Sequence, residues 1–136
     1  MKRALLFVLW IIWIAIVFIL LTMPAKDFGN VEISIPNFDK VVHAGLFGGV
    51  VFWYGITVIH LEKNRTKTGT IIVTVLACIY GIAMEYVQKY CLHPPRDFSY
   101  GDMLADSIGA VLGFLIIRWI TKKYQLRYLS KNTMKS

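Results

Sequence analysis

At 136 residues, with 57% hydrophobic side chains and a mean hydropathy of +0.58, the chain has no room for a soluble domain beside its apolar segments. The formal net charge of +7 suits a nucleic-acid binder, but the basic residues are spaced between apolar runs and not clustered against a polyanion, which excludes nucleic acid as a partner. No phosphate-binding G-x-x-x-x-G-K-[ST], no G-x-S-x-G and no H-E-x-x-H occurs, so nucleotide-driven, serine-hydrolase and zinc-protease chemistry are excluded as well.

Four stretches reach the roughly 20 apolar residues that a helix needs to cross a bilayer, and they predict helices over about 4–23, 40–61, 69–88 and 102–120. The first has no ionisable residue after Arg3 and stops at Pro24. Its apolar run exceeds the roughly 7–15 residues of a cleavable leader, so it reads as a retained scaffold helix. Trp10 and Trp13 lie nearer its middle than its ends, where they pack on neighbouring helices. A connection follows in which Val31–Ile35 alternates apolar and polar, the pattern of a short extended stretch. Asn37 then stands as the N-cap of the second helix, with Asp39 in its first turn.

Gly45 and Gly49 give the second helix a small-xxx-small face for close helix packing. Residues 62–68 are polar and basic and read as a tight connection. In the third helix Gly81, Glu85 and Gln88 are spaced i, i+4, i+7 and share one face. Cys78 and Cys91 would lie about 20 Å apart on a continuous helix, too far for a disulfide. Pro94 and Pro95 stiffen the next loop and so position Arg96. Ser99 and Asp102 match a capping box at the start of the fourth helix. Asp102, Asp106, Gly109 and Gly113 then form one stripe, its two glycines repeating the small-xxx-small signal. A basic tail, 121–136, closes the chain.

With the N-terminus inside, eleven of the fifteen Lys and Arg fall on the cytoplasmic side, leaving only Lys26, Lys40, Lys89 and Arg96 opposite. This bias predicts an all-α, polytopic transmembrane four-helix bundle of one domain with both termini cytoplasmic. His43, Glu85, Gln88, Asp102 and Asp106 then gather near the outer face. Charged groups at bilayer depth cost about 2.5–3.5 kcal/mol or more at a helix centre, so such a cluster marks a site.

Taken in order, Asp39-Lys40-x-x-His43, Glu85-x-x-Gln88, Arg96 and Asp102-x-x-x-Asp106-x-x-Gly109-x-x-x-Gly113 resemble the VanZ-like membrane proteins, over roughly residues 39–113. The family commonly carries Asn where this chain has Asp106. The resemblance implies a multi-pass protein of the bacterial cytoplasmic membrane, in a family named for a member that lowers susceptibility to the glycopeptide teicoplanin.

The chemistry of the residues gives two readings. In the first, the protein binds and modifies an anionic membrane lipid or lipid-linked cell-wall precursor. Arg96 and Lys40 hold the phosphate, Arg96 through a bidentate fork. Glu85 or Asp106 acts as general acid or base, His43 is the second proton-transfer group, and Gln88 orients. Arg96 has the alternative of a salt bridge to Glu85 or Asp102, and His43 that of a pair with Asp39. Asp39 and Asp102 are structural, and Asp102 is explained by capping alone. No metal or other cofactor is expected; Mg²⁺ or Ca²⁺ on the carboxylates is the minority alternative. In the second reading the protein is a non-catalytic scaffold or partner protein, and the cluster is an internal hydrogen-bond network.

Overall fold

The computed structural model describes residues 2–23, 37–59, 63–93 and 95–133. They form four α-helices: α1 (Lys2–Thr22), α2 (Phe38–Val58), α3 (Lys63–Tyr90) and α4 (Tyr100–Thr133). All four prolines of the chain fall between these helices, as expected of residues that lack the amide hydrogen and clash with the preceding turn. Each helix is long and apolar enough to cross a membrane, over Ala4–Thr22, Phe38–Val58, Arg65–Tyr90 and Tyr100–Tyr124. The expected extended stretch Val31–Ile35 lies outside the described residues.

Two helices are longer than expected, for one reason. Hydropathy ends where charge begins, but helix does not. Lys63–Thr68 forms the first turns of α3 and is not a connection, because Lys, Asn, Arg and Thr are tolerated in a helix and no Pro or Gly interrupts them. Thr66 Oγ1 also donates to Val58 O at 3.0 Å, tying this turn to the end of α2. Likewise α4 continues from Ile120 through the basic segment to Thr133.

Asn37 stands at the N-cap position of α2 but does not cap with its side chain. It adopts a left-handed φ of 62°, which Asn tolerates better than most residues, and its carbonyl accepts the Val41 N–H at 3.4 Å.

The distribution of side chains is inverted relative to a water-soluble bundle. Glu85, Gln88, Asp106 and His43 are buried, while Ile12, Ile19, Leu76, Ile79, Leu104 and Leu115 are exposed. Such an exterior suits hydrocarbon, and the polar groups then find partners inside.

The tightest seam joins α2 and α4. A Cβ on Gly109 would overlap the Ala44 backbone, one on Gly113 the Gly48 carbonyl, and one on Gly55 the Ile117 side chain. The contacting face of α2 is therefore Ala44, Gly48 and Gly55. Of the expected Gly45–Gly49 face, Gly49 does admit a neighbouring helix, α1, whereas Gly45 does not. A Cβ at Gly45 would meet nothing within 4 Å, and one at Gly49 would meet the Trp13 indole of α1 at 2.7 Å. Gly109 and Gly113 pack as expected.

α1 is held by its tryptophans. Trp10 Nε1 donates to Val50 O at 3.0 Å and Trp13 Nε1 to Leu46 O at 3.1 Å. An indole N–H in an apolar interior needs such an acceptor. Midway along the bundle, Val17, Phe47, Val50, Val51, Val73, Ala77 and Ala110 pack as an apolar layer. Beyond it lie buried threonines: Thr57, Thr66, Thr70 and Thr121. Thr57 and Thr70 hydroxyls donate to carbonyls of their own helices at 2.9 and 2.6 Å.

Candidate functional site at the polar end of the bundle

The C-termini of α1 and α3 and the N-termini of α2 and α4 meet at one end. Two polar rungs cross the α2–α4 seam there, just before the glycine contacts begin. At the rim, Lys40 Nζ lies 3.3 Å from Asp102 Oδ1 and 3.8 Å from Asp39 Oδ2. One turn deeper, His43 Nδ1 lies 2.9 Å from Asp106 Oδ1. The spacings match: three residues along α2 and four along α4 each advance about one turn. Asp39 therefore pairs with Lys40, and the alternative Asp39–His43 pair does not form.

Asp106 is 1% exposed, and its place exists because α3 has no side chain opposite it. A Cβ at Gly81 would lie 2.7 Å from both Asp106 Cβ and Oδ2. One carboxylate oxygen faces His43; the other, Oδ2, has no hydrogen-bond partner among the described residues. With Asp106 ionised, Nδ1 carries the shared proton and Nε2 becomes the acceptor of the ring. Among the described residues no group bonds to Nε2.

Glu85, also 1% exposed, is engaged elsewhere. Its Oε2 accepts the backbone N–H of Ser99 at 2.9 Å, while Ser99 Oγ accepts the Asp102 N–H at 3.2 Å. The expected capping box is thus half-formed. Ser99 caps α4, but the carboxylate that should return the bond from Asp102 is replaced by Glu85 of α3, since Asp102 is drawn to Lys40.

Gln88 and Arg96 both turn toward α1. Gln88 Nε2 donates to Leu21 O at 2.9 Å, and Arg96 Nη2 donates to Met23 O at 2.6 Å. The last carbonyls of a helix lack intrahelical donors, and these two side chains supply them. Gln88 therefore does not orient Glu85. Arg96 forms no salt bridge with Glu85 or Asp102. Its backbone N–H donates to Gln88 O at 3.1 Å, so the residue is fixed at both ends, and no carboxylate pairs with it among the described residues. The helix termini themselves attract these donors, a competition that i, i+4 spacing does not reveal.

Among the described residues no three His, Cys, Asp or Glu side chains converge as metal ligands would. Both cysteines are free, with Cys78 half-buried and Cys91 exposed. A surface hollow lined by Trp119, Ile120, Lys123 and Tyr124 lies at the far end of α4, away from every residue of the cluster.

Two residues of the site do not follow from the expected pairings: Gly81, which admits Asp106, and Ser99, the ligand of Glu85. Both carried a signal. Gly81 stands on the Glu85–Gln88 face, and Ser99 was already marked as a cap. Comparison with protein-family models, with curated proteins and with solved structures finds no match for this chain.

Proposed function

We propose that the chain is a VanZ-like, multi-pass protein of the bacterial cytoplasmic membrane with both termini in the cytoplasm. In this reading it binds an anionic lipid or lipid-linked cell-wall precursor at the outer face, and His43 transfers a proton to or from that ligand. The motif resemblance and the charge bias of the loops support the setting.

The chemistry rests on a single observation, the buried His43–Asp106 pair at 2.9 Å. An aspartate on Nδ1 fixes the ring and its tautomer and leaves Nε2 as a base, the arrangement that general acid–base catalysis uses. Asp106 is then a positioning residue. Glu85 takes the role of holding the Arg96–Ser99 loop, and Gln88 that of holding α1. Arg96 serves as anion anchor because its position is fixed and, among the described residues, no carboxylate pairs with it. Lys40, already between two carboxylates, contributes less.

The test compares lipids, muropeptides and teicoplanin susceptibility in cells lacking the protein and complemented with wild type, His43→Gln, Asp106→Asn or Arg96→Lys. Wild type restores the altered species. The variants, at normal membrane abundance, do not. Full restoration by His43→Gln and Arg96→Lys overturns the reading.

A second reading is favoured by the fact that Glu85, Gln88 and Arg96 all bond to the backbone of the protein itself. In it the cluster is structural and the protein is a membrane scaffold or partner. The same variants then change abundance or thermal stability and leave every lipid and muropeptide species unchanged.

A further inference from the structure

Four rings form a continuous chain around the same end of the bundle, on the surface and outside the polar cluster. Tyr86 stacks with Tyr90 at 6.3 Å between centroids, Tyr86 meets Phe98 edge-on at 5.5 Å, and Phe98 meets Tyr100 at 5.0 Å. The ammonium of Lys89 sits over two of them, 5.2 Å from the Tyr90 centroid and 5.4 Å from that of Phe98. Tyr90 and Tyr100 are 66% and 75% exposed, so the chain is not a core element. Its position along the helices is specific. The apolar span of α3 ends at Tyr90 and that of α4 begins at Tyr100. Tyrosines bring an apolar ring and a polar tip to one level, and a lysine stem lies along apolar surface with its charge in water. Both are residues of the membrane–water boundary.

We infer that Tyr86, Tyr90, Phe98 and Tyr100, with Lys89, anchor this end of the bundle in the layer of lipid headgroups, and that they set the depth of the His43–Asp106 pair. Asp106 lies six residues into α4 from Tyr100, about 9 Å at 1.5 Å per residue. Measured from Phe38 at the start of α2, His43 lies about 7.5 Å in. The pair therefore sits below the phosphates, at the level of the glycerol and ester linkages and the first methylenes. A ligand of the site is thus an amphiphile that presents its linkage region to His43, with its phosphate above. The depth concerns the bundle as a membrane protein; only the consequence for the ligand rests on the proton-transfer reading.

The test places a nitroxide label on native Cys91, in a Cys78→Ser background, and at Leu104→Cys and Ile108→Cys. The last two are exposed positions one and two turns into α4, outside the site. The full chain is reconstituted in vesicles of phosphatidylethanolamine and phosphatidylglycerol in equal parts, and depth is read from accessibility to oxygen against a water-soluble nickel chelate. The expected result is Cys91 at headgroup level, with Leu104→Cys about 6 Å and Ile108→Cys about 12 Å deeper than Tyr100. Replacing Lys89, Tyr90 and Tyr100 together with alanine should displace the Cys91 label from that level. Labels at both Cys91 and Leu104→Cys in bulk water, or Cys91 in hydrocarbon, overturn the inference. So does an unchanged Cys91 depth after the triple replacement. If the depths hold while His43→Gln restores all lipid and muropeptide species, the anchor stands and the proton-transfer reading fails.

Discussion

Glu85 of α3 accepts the backbone N–H of Ser99 at 2.9 Å, occupying the position that a carboxylate of α4 would take in a self-contained capping box. The first turn of α4 is thereby completed by another helix. Ser99 and Glu85 are fourteen residues apart, and the bond closes the α3–α4 loop over the end of the bundle.

Glu85→Ala leaves that N–H without an acceptor, and loss of one partner of a buried bond costs about 1–3 kcal/mol. Glu85→Gln keeps a carbonyl oxygen in the same place and should lose clearly less. Thermal unfolding in detergent, followed by tryptophan fluorescence, separates the two. Equal losses would show that Glu85 does not act as the cap.

The seam between α2 and α4 gives a contrast between glycines. Gly109→Ala drives a methyl into the Ala44 backbone, and overpacking of this kind costs about 1–3 kcal/mol or more. Gly45→Ala meets open space and gains helix propensity, up to about 1 kcal/mol. Chemical denaturation of both variants should move the midpoint in opposite directions.

His43 and Asp106 should be energetically coupled. Removing either leaves its partner buried and unpaired, so the double variant His43→Ala/Asp106→Ala should lose less stability than the two single losses combined. Contacting residues in one network give coupling of about 0.5–3 kcal/mol. Strict additivity in a double-mutant cycle would mean that the 2.9 Å contact contributes nothing.

Trp10→Phe and Trp13→Phe remove the two indole donors while retaining aromatic bulk. Interhelical bonds of this type in membrane proteins average about 0.6 kcal/mol and reach about 1.7. Each variant should lower the unfolding temperature of the bundle modestly. Trp13→Ala should do more, since it also uncovers Gly49.

Apolar length made the four helices readable, and helical spacing made the faces readable. Gly81, Glu85 and Gln88 are all buried, as are Asp106, Gly109 and Gly113. Partners were another matter. Periodicity says which residues share a face but not which helix that face meets, nor in what register. The alternative pair that spacing offers His43 is Asp39 on its own helix, whereas its partner is sixty-three residues away on α4. Glycine spacing picks out Gly45 and Gly49 on α2 but does not reveal that Gly49 packs on Trp13 of α1 while Ala44 and Gly48 meet α4. For Arg96 the sequence offers a ligand phosphate or a carboxylate, and for Gln88 an orienting role, because charge dominates a sequence view. Unsatisfied carbonyls at the end of α1 carry no letter in the sequence, yet they hold both side chains.

The apolar layer of Phe47, Val51, Val73, Ala77 and Ala110 has an electrical consequence. It separates the carboxylates and imidazole of one half from the threonines of the other, and the hydroxyls of Thr57, Thr66 and Thr70 are turned onto helix carbonyls. In the proton-transfer reading, His43 therefore exchanges its proton with the polar end of the bundle alone. In that reading the waist of the bundle acts as an insulator, and ionisable groups at one end do not open a leak to the other.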